Sequence, residues 1–126
     1  MSELDLLDIA AAIQRKIDHL EKARGKLKEY AENKARTMVE YEKQMTITIM
    51  SLRNGQSFQI KNGKDTIEIQ GESVTTLKDL AKGICHEYSL ESSVSEARYK
   101  NCIVQIEAIK AELNGLQSIF RHLDVS

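Results

Sequence analysis

The chain has 126 residues, 41% hydrophobic, 29% charged and 5% aromatic, with six Gly and no Pro, proportions that bound it to one small, regularly structured domain. Eighteen Lys and Arg against 19 Asp and Glu leave a formal charge of −1, which excludes a polyanion mimic and a broadly basic nucleic-acid coat. No uncharged apolar run approaches the ~18 to 20 residues of a membrane span, and the acidic start Met1-Ser2-Glu3-Leu4-Asp5 lacks the basic and apolar regions of a secretory signal, so the expected location is the cytoplasm.

From Leu6 onward, apolar and small residues recur in threes and fours: Leu6, Ala10, Ile13, Ile17, Leu20, Leu27, Ala31, Met38, Tyr41, Met45 and Leu52. This is a heptad seam, and it predicts a first helix over about residues 3–53. Arg24 and Lys34 fall on seam positions, where a charge needs a partner or costs stability. Ser2 with Asp5 suits the helix start, and Asn54-Gly55 supplies the left-handed residue that ends many helices. Met45-Thr46-Ile47-Thr48-Ile49-Met50 alternates with period two and is strand-like, but the seam continues through it to Leu52, which favours helix.

Between 56 and 70 the pattern changes to two alternating runs flanking Asn62-Gly63, a strong hairpin signature. A two-residue loop at Asn62-Gly63 pairs Lys61 with Lys64 and sets Phe58 opposite Ile67, with Phe58, Ile60, Ile67 and Ile69 on one face. A lone hairpin is marginal in water, so this face must rest on helix ends or on another subunit.

Gly71 lets the chain turn, and Thr76 with Asp79 resembles a capping box opening a second helix over about 74–123. Its apolar positions run from Leu77, Ala81, Ile84 and Tyr88, through a polar interlude at Glu91, Ser95 and Arg98, to Cys102, Ile106, Ile109, Leu113, Leu116, Phe120 and Leu123. The economical fold is mainly α: one domain over 1–126, a long antiparallel, coiled-coil-like helical hairpin with a short β-hairpin at its bend. If facing residue numbers sum to about 126, Arg24 lies near Cys102 and Lys34 near Glu91. The spread of Cys102, Ile103, Val104, Ile106 and Ile109 exceeds what one helix covers, which predicts a homo-oligomer, most simply a dimer forming a helical bundle. The competing arrangement is a monomer whose helices break at Gly25 or Gly83.

The residues carry no recognisable chemistry. Cys85 and Cys102, 17 apart on one helix, are ~25 Å apart and cannot bridge within a chain. Cys85-His86 is not a metal-ligand spacing, His19 and His122 lie elsewhere, and no GxSxG, GxGxxG, P-loop, HExxH or CxxC occurs. The expectation is a non-enzymatic protein without metal or cofactor. Two surfaces are candidates for partners. Arg15, Lys16, Lys22, Arg24, Lys26 and Lys28, joined by Arg98 and Lys100 of the second helix, could sit on phosphates, with Tyr30 and Tyr99 as stacking faces. The alternative is a solvated flank, because Lys22 to Lys28 spans both sides of a helix. The hairpin tip, Lys61, Asn62, Gly63, Lys64 and Asp65, could meet a protein through its edge strands.

Three phrases, Ala81-Lys82-Gly83-Ile84-Cys85, Glu96-Ala97-Arg98-Tyr99-Lys100-Asn101 and the run from Lys110 to Arg121, together with Leu4-Asp5-Leu6-Leu7-Asp8-Ile9, resemble small uncharacterised early-region proteins of phages and prophages of Gram-positive bacteria. The resemblance brings no active site. It implies the cytoplasm of a bacterial host and one of two roles: a module that binds and modulates, by inhibition for instance, a host or phage protein such as a defence or DNA-processing enzyme, or an accessory nucleic-acid binder in recombination or replication. Near-neutral charge and few aromatics favour the first.

Overall fold

The computed structural model describes residues 3–70 and 74–125. Helix α1 (Glu3–Arg53) is followed by strands β1 (Phe58–Asn62) and β2 (Asp65–Ile69), then helices α2 (Val74–Ile84) and α3 (His86–Val125). The chain forms two compact units, one of Met1–Ala31 with Ala97–Ser126 and one of Glu32–Glu96. The mainly α architecture with a β-hairpin between long helices is the one expected, and Met45 to Met50 is helical.

In the first unit α1 and α3 pack antiparallel around Leu20, Cys102, Ile106 and Ile109, with Ala23, Leu27, Tyr30 and Leu113 against them. The Cys102 thiol reaches the Ala23 carbonyl at 3.5 Å, and Lys16 pairs with Glu112, so facing residue numbers sum close to the expected 126. One seam position needs correction. Ala23 faces Cys102, while Arg24 is exposed one position along, so no charge has to be accommodated at that point of the seam.

In the second unit Leu52, Leu77 and Ala81 form the buried centre, and Met45, Ile49, Phe58, Ile69, Leu80 and Ile84 close around it. The end of α1 is fixed by its backbone. Gly55 takes φ +86°, its N–H donates to the Leu52 carbonyl at 3.1 Å, and Gln56 N–H donates to Ser51 at 3.0 Å, the paired bonds of a Schellman cap. Thr48, omitted from the sequence's apolar seam, is buried here, with its hydroxyl 3.3 Å from the Cys85 thiol. That places Cys85 about seven positions beyond the facing residue a sum of 126 would give, so the register of the first unit does not carry through to this contact.

The hairpin register also differs from expectation. Phe58 pairs with Ile69, Ile60 with Ile67 and Asn62 with Asp65, so the loop is Gly63-Lys64 and not Asn62-Gly63. The reason is dihedral. Among the described residues only Gly55 and Gly63 have positive φ, and Gly63, at +65°, occupies the first central position, as a type II′ turn requires. An Asn62-Gly63 loop would force Asn62 into that region. The slip is two residues, an even number, so Phe58, Ile60, Ile67 and Ile69 still share one face.

The expected second helix is two helices. The interruption is at Cys85, two residues beyond Gly83, the residue type that most weakens a helix after Pro. His86 Nδ1–H donates to the Gly83 carbonyl at 3.0 Å, while Cys85 N–H to Ala81 and Ser89 N–H to Cys85 carry backbone bonds across the break. Thr76 is the third residue of α2 and not at its cap position; the expected Ser2 cap and Gly71 turn lie outside the described residues.

Two changes probe this frame by urea unfolding. Leu52, 1% exposed, should cost about 2–5 kcal/mol as Leu52→Ala. A Cβ on Gly55 meets nothing within 4 Å, so Gly55→Ala should cost about 1 kcal/mol through its backbone alone, with an unchanged m-value.

Candidate functional site

The hairpin emerges from the second unit's core with its inner pair covered and its next pair, half-buried Ile60 with Ile67, only partly so. Phe58 and Ile69 pack on the Leu52, Leu77 and Ala81 cluster, whereas Ile67, in the next pair out, is 49% exposed. Along β2 this leaves a groove of about 490 Å³ lined by Ile67, Glu68, Ile69, Gln70, Thr76 and Leu80. The sheet has two strands, so the outer side of β2 carries no strand partner among the described residues, and an apolar groove beside an open strand edge suits an extended peptide. Lys61, Asn62, Gly63, Lys64 and Asp65 are all exposed at the tip. The groove begins just beyond them, and sequence reasoning missed its far wall, Gln70, Thr76 and Leu80. A hairpin face of two apolar pairs above a single short helix was the available signal.

The basic residues proposed for phosphate contact all lie in the first unit. Arg15, Lys22, Arg24, Lys26, Lys28, Arg98 and Lys100 are exposed, and Lys16 is half-buried beside Glu112. Lys26 also reaches Glu29 at 3.5 Å. The structure brings together only part of the set: Lys22 and Lys26 share a shallow groove of about 190 Å³ with His19, Ala23, Tyr30, Cys102 and Gln105, and Arg24 and Lys28 fall outside it. His19, Lys22, Lys26 and Tyr30 follow helical spacing on one side of α1, a pattern readable in the sequence and overlooked there. Tyr30 also packs on the core, so it is a wall of the groove more than a free stacking face. Elsewhere in this unit Leu6, Leu7, Ala10 and Phe120 line an apolar groove of about 430 Å³.

Glu112 is held below the usual carboxylate range by the hydrogen bond from Lys16, then by the Lys16 charge, with desolvation opposing and His19 adding a little. Both thiols are free and buried. Among the described residues no three His, Cys, Asp or Glu side chains are grouped to hold a metal ion, and no helix is long and apolar enough to cross a membrane. Compared with known proteins, the chain matches no family model, no curated protein and no solved structure.

Because the folded pKa of Glu112 is depressed, the Lys16 pair contributes stability above the unfolded carboxylate pKa and loses it as pH falls through the folded value. Glu112→Gln should remove a small acid-side slope from stability measured against pH. Cys85 and Cys102, 2% and 3% exposed, should both resist a thiol reagent in the folded protein and both react on denaturation.

Proposed function

We propose that this chain is a non-enzymatic protein-binding module of the phage and prophage type, which engages and modulates a host or phage protein, such as a defence or DNA-processing enzyme, in a bacterial cytoplasm. The observation that carries the reading is the uncovered flank of β2. Ile67 is half-exposed on a strand whose outer edge is open, above a groove with apolar walls at Ile69 and Leu80. Main-chain bonds from an added strand would supply affinity, and the groove would select alternate side chains. Lys61 and Lys64 at the tip discourage indiscriminate pairing with other edges.

The His19, Lys22, Lys26 and Tyr30 groove supports a second reading, an accessory nucleic-acid binder holding a phosphate between two lysines. One experiment separates them. The tagged chain is used to capture partners from nuclease-treated bacterial lysate, beside Ile67→Glu and the Lys22→Glu, Lys26→Glu pair. All three positions are exposed, so circular dichroism should be unchanged. The expected result is one discrete protein retained by the parent and by the lysine variant and lost with Ile67→Glu. Retention of nucleic acid alone, with a salt slope that falls by roughly two units in the lysine variant, would replace the first reading by the second.

A further inference from the structure

Helix α3 carries two heptad seams. The inner one, with Cys102, Ile106, Ile109 and Leu113, is packed in the first unit's core. In the outer one, Ala97, Asn101, Val104, Ala108, Ala111 and Gly115 recur in alternating steps of four and three, and Val94 and Leu90 carry the same spacing back along the helix. Every one of these residues is exposed, Val104 at 67% and Leu90 at 64%. At 3.6 residues per turn the two seams point about 140° apart, so a helix seated on the inner one leaves the outer one open.

The chain as a whole exposes more area than a compact monomer of its mass. A folded monomer of 14.3 kDa is expected to expose about 6,800 Å². This chain exposes 9314 Å², an excess of roughly 2,500 Å², about three times what each partner gives to a standard interface.

We infer that the outer seam of α3 binds a second copy of this chain, α3 against α3 and antiparallel, about a two-fold axis between Asn101 and Val104. In that register Leu90 meets Gly115 of the second copy, Val94 meets Ala111 and Ala97 meets Ala108, so the larger side chains stand against the smaller and the layers fill evenly. On the flanks, Lys100 comes opposite Glu107 of the second copy on both sides of the axis, adding a second cation to the Lys110 already beside Glu107 in its own chain, whereas a parallel pairing sets Glu107 against Glu112, like against like. Only the outermost pair, Glu91 with Glu112, is of like sign, and Glu112 already has Lys16. Asn101 and its symmetry mate are offset by about 4.5 Å along the helix axis, near enough for their amides to bond and to penalise any slipped register.

The test uses the full chain. Sedimentation across the micromolar range should show a monomer and dimer equilibrium, and Val104→Glu should raise the dimer dissociation constant at least about tenfold with helicity retained. Ala97→Cys mixed with Ala108→Cys should give disulfide-linked mixed pairs faster than either variant gives pairs with itself; the native thiols are buried and do not compete. A chain that stays monomeric throughout overturns the inference, as does one that pairs only when a foreign protein is added. Self-linkage of Ala97→Cys as fast as mixed linkage overturns it too, and needs no comparison with Val104→Glu.

Discussion

A helix can hide only one side of another helix, and every other feature of this molecule follows from that constraint. The buried apolar residues are few: Leu20, Cys102, Ile106 and Ile109 in one unit, and Leu52, Leu77, Ala81 and Cys85 in the other. With so thin an interior, order has to be supplied at the ends of elements, and it is. Gly55 stops α1 with two backbone bonds, Gly63 sets the hairpin turn, and His86 takes up the Gly83 carbonyl where α2 gives way to α3. The β-hairpin is not an ornament on this frame. Phe58 and Ile69 complete the second unit's core, which two short helical segments alone would leave wet.

Much of this architecture was legible in the residues, because heptad spacing and the Asn-Gly dipeptides report backbone geometry directly. The first helix ends where the Asn54-Gly55 pair says it should, and the hairpin's apolar face survives a two-residue error in register because side chains alternate with period two. What stayed hidden depends on three-dimensional competition. Ala23 and Arg24 are adjacent candidates for one seam position, and only packing against Cys102 chooses between them. Thr48 reads as polar in a list of seam residues, yet its hydroxyl is satisfied by the Cys85 thiol and it is buried. The break at Cys85 was foreshadowed by Gly83, but spacing alone continues through it.

The candidate surfaces divide in the same way. Charge is visible in a sequence, and the basic residues of 15–28 were found by counting, but a count cannot say which of them share a hollow; Lys22 and Lys26 do, and Arg24 and Lys28 do not. The β2 groove was half visible. Ile67 and Ile69 were placed on the correct face, while Leu80 and Thr76 belong to a helix whose approach to the strand no local pattern encodes.

The Schellman cap at Gly55 and the helix break at Cys85 have an effect beyond stopping and starting elements. They stand on either side of everything between the long helices, and each resets the backbone after it, so the phase of the seam on α1 and that of the seams on α3 are set separately. Residues between these two points, above all at the exposed Gly63-Lys64 turn, can be gained or lost without rotating either long helix about its own axis. The hairpin is thus the part of the chain free to diversify in length, while the helices on either side are held to their sevenfold count.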